Sequence, residues 1–307
     1  MSTQRPSLRS VIDAPEIAVL PGAYDGFSAR LIERAGFDAA FITGSGVSES
    51  RLGMPDVGLA GLAEALGAAR DMAGCVDMPL LADADTGYGN AVNVFHTVGA
   101  FEQAGVAGVM IEDQTWPKRC GHLAGKELIP AEEMVGKVAA AVDARSSDAF
   151  VIMARTDAAG PLGIDAAVER ANMYAAAGAD LLFADALNDA DDIEQFAREV
   201  DGPVCVNMGF GIRSRSTTPL LSARELQELG VAVMIAPRML TAAAALGMQR
   251  ALTVLSESMQ TGEVADRQDL LMSFEELHDV MGFEAIQDLE RRFLGEERLA
   301  LKYGSGE

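Results

Sequence analysis

Short apolar or β-branched runs alternate with stretches of helical periodicity along most of the chain, and this alternation restricts the possible folds more than any other feature. Eight runs are predicted to be strands, at residues 17–23, 39–43, 79–85, 108–113, 150–155, 180–185, 203–208 and 231–237. Helical patterns lie between them at residues 25–35, 91–104, 131–145, 164–177, 189–200 and 222–229. Near-continuous apolar strands are typical of parallel sheets covered by helices, so eight β-then-α units predict an α/β fold: a closed (β/α)8 barrel of the TIM type rather than an open doubly wound sheet.

Glycines mark the ends of several predicted helices. Gly36, Gly105, Gly178 and Gly230 each stand between a helical pattern and the next predicted strand, where glycine can adopt the left-handed conformation that ends a helix. After residue 237 the chain is predicted to continue as helix only, to about residue 293. Because no linker or low-complexity segment divides the sequence, we predict a single domain over residues 1–307, with the barrel at about 8–258 and a C-terminal helical extension at about 259–307.

The acidic balance of the chain argues against several classes of partner. The formal net charge is −22 and the acidic residues are spread along the sequence, which opposes binding to nucleic acid. The N-terminus lacks the apolar stretch of a signal peptide, and the longest apolar runs, such as residues 239–248, fall short of a membrane span. The three cysteines show no CxxC spacing, so neither a disulfide framework nor a zinc site is suggested. We therefore expect a soluble cytoplasmic protein without a membrane partner.

Acidic residues follow neighbouring predicted strands at the end where barrels of this type carry their active sites. Asp83 and Asp85 lie two residues apart, on the same face of an extended chain, and Glu112 ends the next strand. Buried carboxylates require either a cation or raised pKa values, and an all-oxygen set favours Mg²⁺, or Mn²⁺, over zinc. The alternative is that these acids cap helices or pair with surface lysines, but three acids on adjacent strands favour a metal site.

The stretch WPKRCGHLAGKEL, residues 116–128, has no apolar periodicity and carries a lone cysteine, Cys120. A loop cysteine beside one histidine is more often structural than catalytic. Here Lys118, Arg119 and His122 flank the thiol, and their positive charge would lower its pKa and attract an anionic substrate. The other two cysteines, Cys75 and Cys205, fit small buried residues.

Several motifs together resemble the isocitrate lyase and phosphoenolpyruvate mutase superfamily, from about residue 8 to the C-terminal helices. The matching stretches are PGAYD at 21–25, TGSG at 43–46, GMPD at 53–56, DADTGYG at 83–89, IEDQ at 111–114, KRCGH at 118–122 and ARTDA at 154–158. The KRCGH stretch is similar to the signature of the carbon–carbon lyase branch, whereas the phosphonomutase branch carries a different loop without this cysteine.

The resemblance implies a set of site residues. The resemblance implies that Asp83, Asp85 and Glu112 bind Mg²⁺. It also implies that Cys120 and Arg155 are catalytic residues, together with the neighbouring Lys118 and His122. The substrate-binding residues are predicted to be Thr43, Gly44, Ser45, Asp56, Gly121, Arg155, Asp185, Asn207 and Pro237. The resemblance also implies a homotetramer in which helices beyond the barrel are exchanged between subunits.

The implied activity is Mg²⁺-dependent cleavage of a small 2-hydroxy di- or tricarboxylate, such as 2-methylisocitrate or a substituted malate. A retro-aldol step would release a 2-oxo acid, pyruvate or glyoxylate, together with a dicarboxylate. The carbanion left by this cleavage needs a proton donor, and Cys120 on a mobile loop suits that role. The nearest alternative is a hydrolase or decarboxylase acting on oxaloacetate, since Pro237 resembles the strand-eight proline of those enzymes. Phosphonomutase chemistry and a non-catalytic family member are further alternatives.

Three positions depart from the superfamily pattern. Phe41 stands where the lyases usually have a tyrosine, so the usual base for the hydroxyl proton is absent, and Tyr88 or a water on the cation could replace it. Asp185 stands where a glutamate is common. Arg213 and Arg215 lie in a loop that usually carries an acid, and they are either solvated or placed to bind an added carboxylate of the substrate.

Overall fold

The computed structural model of the chain describes residues 7–121, 125–214, 217–295, 298, 299 and 301. Eight parallel strands pair in sequence order, and the eighth pairs with the first to close a barrel. The strands are β1 Ala18–Ala23, β2 Ala40–Ile42, β3 Leu80–Asp83, β4 Gly108–Glu112, β5 Val151–Thr156, β6 Leu181–Ala184, β7 Val204–Asn207 and β8 Val233–Ala236. The predicted (β/α)8 barrel is confirmed, and each strand lies within its predicted run except for one added residue at the end of β5.

The strands are buried on both faces, which explains their near-continuous apolar sequences. One set of side chains fills the barrel interior and includes Leu20, Phe41 and Met153. The opposite set packs against the surrounding helices and includes Ile42, Val109 and Ile152. Because both faces are apolar, the polar residues are confined to the strand ends, and the site is built there.

Helices cover the outside of the barrel. They are α1 Leu8–Ile12, α2 Gly26–Arg34, α3 Gly44–Val47, α4 Leu62–Ala73, α5 Ala91–Ala104, α6 Ala131–Ala144, α7 Ala159–Leu162, α8 Ile164–Ala176, α9 Ala190–Glu199 and α10 Ala223–Glu228, with a π-helical turn at Ser48–Leu52. All six predicted helical patterns correspond to helices, whereas α4 and the shorter helices were not singled out. Gly105 ends α5 with a φ of 96°, as its position predicted.

Further helices follow the last strand: α11 Met239–Thr261, α12 Phe274–Val280 and α13 Phe283–Phe293. The prediction of uninterrupted helix was wrong between α11 and α12, because Gly262 adopts a φ of 73° and Ser273 begins a new helix by capping it. The chain divides into two compact units, Met1–Ala243 and Ala244–Glu307. The single domain predicted from the sequence stays a prediction.

The helix α11 is 23 residues long and reaches a mean hydropathy of 1.2 over its most apolar window, none of which is buried. By length and composition alone it could cross a membrane, and it is the one such helix among the described residues. The apolar run at residues 239–248 is too short to cross a membrane, but the helix continues well beyond that run. The cytoplasmic location stays a prediction.

Candidate active site

A cleft opens at the carboxyl ends of the strands, with an empty volume of about 430 Å³ counted to its mouth. Most of the predicted substrate-binding and catalytic side chains line it, although they come from widely separated parts of the sequence. The predicted residues in its lining are Thr43, Ser45, Asp56, Asp83, Cys120, Gly121, Arg155, Asp185, Asn207 and Pro237. The barrel therefore gathers these ten residues into one site, as the strand-end argument requires.

A smaller chamber adjoins this cleft, and Asp83 borders both. Gly44 and Asp85 line the chamber, together with Tyr88. The Gly44 N–H donates a hydrogen bond of 3.2 Å to Asp83 Oδ2, and a Cβ atom at this glycine would lie 2.6 Å from that oxygen. The segment after β2 thus approaches the β3 carboxylate closely only because residue 44 has no side chain.

The predicted metal-binding acids are buried at the ends of β3 and β4. Asp85 has a φ of 47°, and its N–H donates to Asp83 Oδ1 at 2.9 Å. Glu112 is 1% exposed, and its Oε1 atom has no hydrogen-bond partner among the described residues. The pKa of each of the three carboxyls is raised, mainly because burial penalises the charged form, and that of Asp85 reaches about 6.

Lys118 is the cation that faces this acidic group. Its Nζ lies 2.5 Å from Asp56 Oδ1 and 2.8 Å from Asp85 Oδ1, although the second contact lacks hydrogen-bond geometry. Burial by itself would lower the pKa of Lys118, but Asp85, Glu112 and Asp56 together raise it well above its usual value. The lysine therefore remains protonated and offsets part of the acidic charge.

The carboxylates at the ends of β3 and β4 are suited to bind a hard cation. Within the described part of the chain, no three His, Cys, Asp or Glu side chains come close enough to surround an ion directly. Yet within the described residues Glu112 Oε1 is buried without a hydrogen-bond partner, and the atoms available to bind an ion are all carboxylate oxygens. Mg²⁺ dehydrates reluctantly and is commonly bound through one or two carboxylates and several waters. Asp83, Asp85 and Glu112 therefore fit a hydrated Mg²⁺ ion rather than a fully enclosed one.

Arg155, at the end of β5, is held by three carboxylates. Its Nε and Nη2 atoms each lie 2.9 Å from an oxygen of Asp157, and Nη2 also lies 2.7 Å from Asp185 Oδ2. Glu112 Oε2 is 3.3 Å from Nε, and the guanidinium carbon lies 5.4 Å from the centre of the Phe183 ring. These contacts fix the position of the guanidinium group before any ligand binds.

Asp113 supports this arginine from behind the cleft. Its carboxylate is fully buried and accepts hydrogen bonds from the Asp157 N–H at 2.9 Å and the Thr156 hydroxyl at 2.8 Å. It also accepts from the Tyr174 hydroxyl at 2.7 Å and from Arg170 Nη1 at 3.0 Å. Because Asp157 is the bidentate partner of the cleft arginine, this network orients the charged group that faces the cleft.

The cysteine loop lies against both sides of the cleft. The Cys120 N–H donates to the Asp56 carbonyl at 3.2 Å, and the thiol is half-buried. Lys126 Nζ donates to the Gly121 carbonyl and to Asp157 Oδ1, both at 2.9 Å. These contacts bring the thiol into the cleft lining. His122, predicted beside it, lies outside the described residues.

Some expectations from the sequence need revision. Phe41 lines the cleft, but Tyr88 lies in the adjoining chamber, and burial together with Asp85 raises its pKa, so it is poorly suited to act as the base. Arg213 is exposed and is not among the residues lining the cleft, whereas Arg215 lies outside the described residues. Besides Arg155, a second arginine lines the cleft: Arg238, two residues after the end of β8, which was not predicted from the sequence.

Lys126 was not predicted as a site residue, and Asp157 appears in the sequence only as part of the ARTDA stretch. The position of Asp157 two residues after Arg155 on an extended chain, which places both side chains on one face, was an available signal. Lys126 gave no such signal, because its partner Asp157 is 31 residues away in sequence.

The chain matches a family model described as phosphoenolpyruvate phosphomutase over residues 8–255. It is 41% identical to 2,3-dimethylmalate lyase of Eubacterium barkeri over 286 residues, which is 93% of this chain and 96% of that protein. It is 42% identical to 2-methylisocitrate lyase of Aeropyrum pernix over 292 residues, 94% of this chain and 90% of that one.

Solved structures that superimpose on this chain belong to similar enzymes. An oxaloacetate acetylhydrolase in complex with 3,3-difluorooxalacetate superimposes with a TM-score of 0.87 at 30% identity, covering 96% of this chain and 98% of that one. A phosphonopyruvate hydrolase in complex with oxalate and Mg²⁺ has a TM-score of 0.81 at 30% identity, covering 95% and 100%. The resemblance and the enzyme class inferred from the motifs are confirmed by these relatives. The chain belongs to the phosphoenolpyruvate phosphomutase family, within the superfamily of enzymes that includes isocitrate lyase.

Proposed function

We propose that the protein is a Mg²⁺-dependent carbon–carbon lyase acting on a small 2-hydroxy di- or tricarboxylate of the 2-methylisocitrate or substituted-malate type. The products would be a 2-oxo acid, pyruvate or glyoxylate, and a dicarboxylate. The observation that carries this proposal is that Cys120, Arg155 and Asp83 line one cleft. The lyase names of the relatives from Eubacterium barkeri and Aeropyrum pernix support the same reaction class.

Asp83, Asp85 and Glu112 would hold the Mg²⁺ ion, and Mn²⁺ could take the same place. The ion would act as a Lewis acid that lowers the pKa of the substrate hydroxyl and offsets the charge of the neighbouring carboxylate. The charges of the chain agree with a cation here. Among the described residues, six carboxylates surround the cleft and its floor, against the four basic side chains Lys118, Lys126, Arg155 and Arg238. The acids are Asp56, Asp83, Asp85, Glu112, Asp157 and Asp185.

The residues of the chain would bind and orient the substrate around the breaking bond. Thr43, Gly44 and Ser45 would contact the part that becomes the 2-oxo acid, next to Asp83. Arg155 would face a substrate carboxylate with a guanidinium group already oriented by Asp157, so little reorganisation would be needed during the reaction.

The bond-breaking step can be written as a balanced retro-aldol reaction. A base takes the hydroxyl proton, the hydroxyl oxygen forms the carbonyl of the 2-oxo acid, and the bond from its carbon to the neighbouring carbon breaks. The electron pair of that bond passes to the neighbouring carbon, which lies next to a carboxylate. That carbon then takes the thiol proton of Cys120, which is later restored from solvent. Phe41 has no group that could accept the hydroxyl proton, so another acceptor takes it.

A substrate panel tests the proposal directly. Protein with Mg²⁺ is incubated separately with 2-methylisocitrate, isocitrate, 2,3-dimethylmalate and oxaloacetate, and release or loss of 2-oxo acid is measured. We expect 2-oxo acid release from at least one of the first three, and none after removal of divalent ions with EDTA.

Turnover of oxaloacetate alone would instead identify a hydrolase or decarboxylase. That alternative draws support from the oxaloacetate acetylhydrolase that superimposes on this chain. Absence of turnover with all four would contradict both.

We also propose that the chain assembles as a cytoplasmic homotetramer in which C-terminal helices are exchanged. Many large apolar side chains in the unit Ala244–Glu307 are exposed in the single chain, including Leu246, Leu252, Leu255, Met259, Phe274, Leu277, Ile286, Leu289 and Phe293. Such a surface indicates contact with another protein surface or a membrane. Light scattering after gel filtration should give about four times the chain mass of 32.3 kDa. A monomer, or a protein recovered only with membranes, would contradict this assembly.

A further inference from the structure

Arg238 is placed at the cleft by the end of the last strand. It follows Pro237 directly after β8 and lines the cleft together with Phe41, Ser45 and Asn207. Because barrel enzymes build their sites from residues in this position, a charged side chain here faces the ligand rather than the core.

The bonding of Arg238 differs from that of the other cleft cations. Arg155 and Lys118 are each buried against two or more carboxylates. Arg238 has a single ion pair, from Nη1 to Glu49 Oε1 at 3.2 Å, and the two side chains are 33% and 35% exposed. Its Nε and Nη2 atoms contact no acceptor in the described parts of the chain. An exposed pair of this kind contributes little stability, so exchanging Glu49 for a ligand carboxylate costs little.

We propose that Arg238 determines substrate specificity by binding the substrate carboxylate that is farthest from the breaking bond, and so favours a tricarboxylate over a dicarboxylate. This inference rests on the proposed lyase function. The rest of the cleft is acidic and would repel a third carboxylate. A guanidinium group with donors to spare can bind it through two parallel hydrogen bonds. In the sequence, Arg213 and Arg215 were the candidates for such a contact, with solvated loop side chains as the alternative.

The test uses binding of non-reacting ligands, which is independent of turnover. Tricarballylate, with three carboxylates, and succinate, with two, are titrated into wild-type protein and the R238M variant in the presence of Mg²⁺. Methionine keeps much of the side-chain length without the charge. We expect wild-type protein to prefer tricarballylate, and R238M to lose this preference by about 10- to 100-fold, as expected for a charged hydrogen-bonded contact.

Two matched variants sharpen the result. R238K should keep part of the preference, because the charge remains without the planar fork. E49Q should bind tricarballylate at least as tightly as wild-type protein, because it removes the competing carboxylate. An unchanged preference in R238M, or an equal loss for both ligands, would overturn the proposal. The substrate panel tests the lyase function separately, so the two failures are distinguishable.

Discussion

The β3–β4 side of the cleft and the β5–β6 side both contain buried charge, but they differ in how completely that charge is partnered. On the β5–β6 side, Asp157 receives two hydrogen bonds from Arg155 and one from Lys126, and these partners outweigh burial and lower its pKa. On the β3–β4 side, burial dominates and the pKa values of Asp85 and Glu112 are raised. On the β5–β6 side Asp157 is fully partnered by Arg155 and Lys126, whereas on the β3–β4 side more carboxylates than cations lie together among the described residues.

This difference separates two ways of building a charged site. A pre-paired arginine is rigid and presents one orientation to every ligand. An undercompensated group of carboxylates is costly in the free protein, but it supplies affinity for a cation. We therefore expect substitutions on the β3–β4 side to affect metal-dependent activity, and substitutions on the β5–β6 side to affect stability as well.

The largest expected effect follows from removing one acid on the β3–β4 side. D85N should lower turnover by about 10³-fold or more, because the loss of a cation that stabilises developing charge removes several kcal/mol. Initial rates are measured against Mg²⁺ concentration. The exposed Asp71 supplies a control, and D71N should behave as wild-type protein. A D85N protein with normal Mg²⁺ dependence would remove this residue from the metal site.

A smaller loss is expected from the thiol that lies between the two sides. C120S should lower kcat by about 10²-fold, because a serine hydroxyl is a much weaker acid than a thiol and general acids typically contribute 10²–10⁴-fold. The half-buried Cys75, whose Sγ lies 3.2 Å from the Met72 carbonyl oxygen, gives the matched control C75S. Turnover of C120S within a few-fold of wild-type protein would exclude the thiol as proton donor.

On the β5–β6 side the expected effect includes stability. D113N removes a buried carboxylate that accepts from Tyr174, Arg170, Thr156 and the Asp157 N–H. It should destabilise the protein by about 2 kcal/mol, since it weakens these buried hydrogen bonds and leaves the half-buried Arg170 poorly paired.

The midpoint of thermal unfolding is compared with that of D148N, which changes a fully exposed carboxylate. An unchanged midpoint in D113N would mean that the network contributes little to the rigidity of this side.

The smallest expected effect is a pH dependence of the metal contribution to stability. The pKa of Asp85 is raised to about 6, above the value of about 3.9 for an unfolded chain. The folded, metal-free protein therefore binds the extra proton, and it loses stability as the pH rises from 4 through 6. Mg²⁺ binds the ionised carboxyl, so it should raise the unfolding temperature by a few degrees more at pH 8 than at pH 5. Equal shifts at both pH values would contradict this reasoning, and D85N should reduce the difference.

The barrel could be predicted from the sequence because its strands are buried on both faces. Runs such as the one around Val109 and Ile111 remain apolar without alternation, and glycines such as Gly105 mark the helix ends. The interruption after α11 was not predicted, because the residues before it form a long helical pattern. That helix ends at Gly262, which adopts a left-handed conformation. The helix α4 was not predicted either. Five of its twelve residues are alanines, and it has few large apolar residues that would show helical periodicity.

Site residues could be predicted only where residues close in sequence, or at neighbouring strand ends, show that they lie together. Asp83 and Asp85 are neighbours on one strand, and the ends of parallel strands converge, so their meeting with Glu112 follows from the fold class. Pairs that form across the chain leave no such pattern. Arg238 and Glu49 are 189 residues apart, and nothing near either residue in sequence indicates that they meet at the cleft.

Gly121 controls how deeply the cysteine loop can enter the cleft. A Cβ atom on this residue would lie 1.5 Å from Asp185 Oδ2 and 2.6 Å from Arg155 Nη2, so even a methyl group would not fit there. An alanine here would force either the loop, and with it the Cys120 thiol, or the side chains of Asp185 and Arg155 to move. Because Asp185 and Arg155 already occupy the space where a Cβ atom would lie, the depth of the thiol in the cleft depends on residue 121 having no side chain.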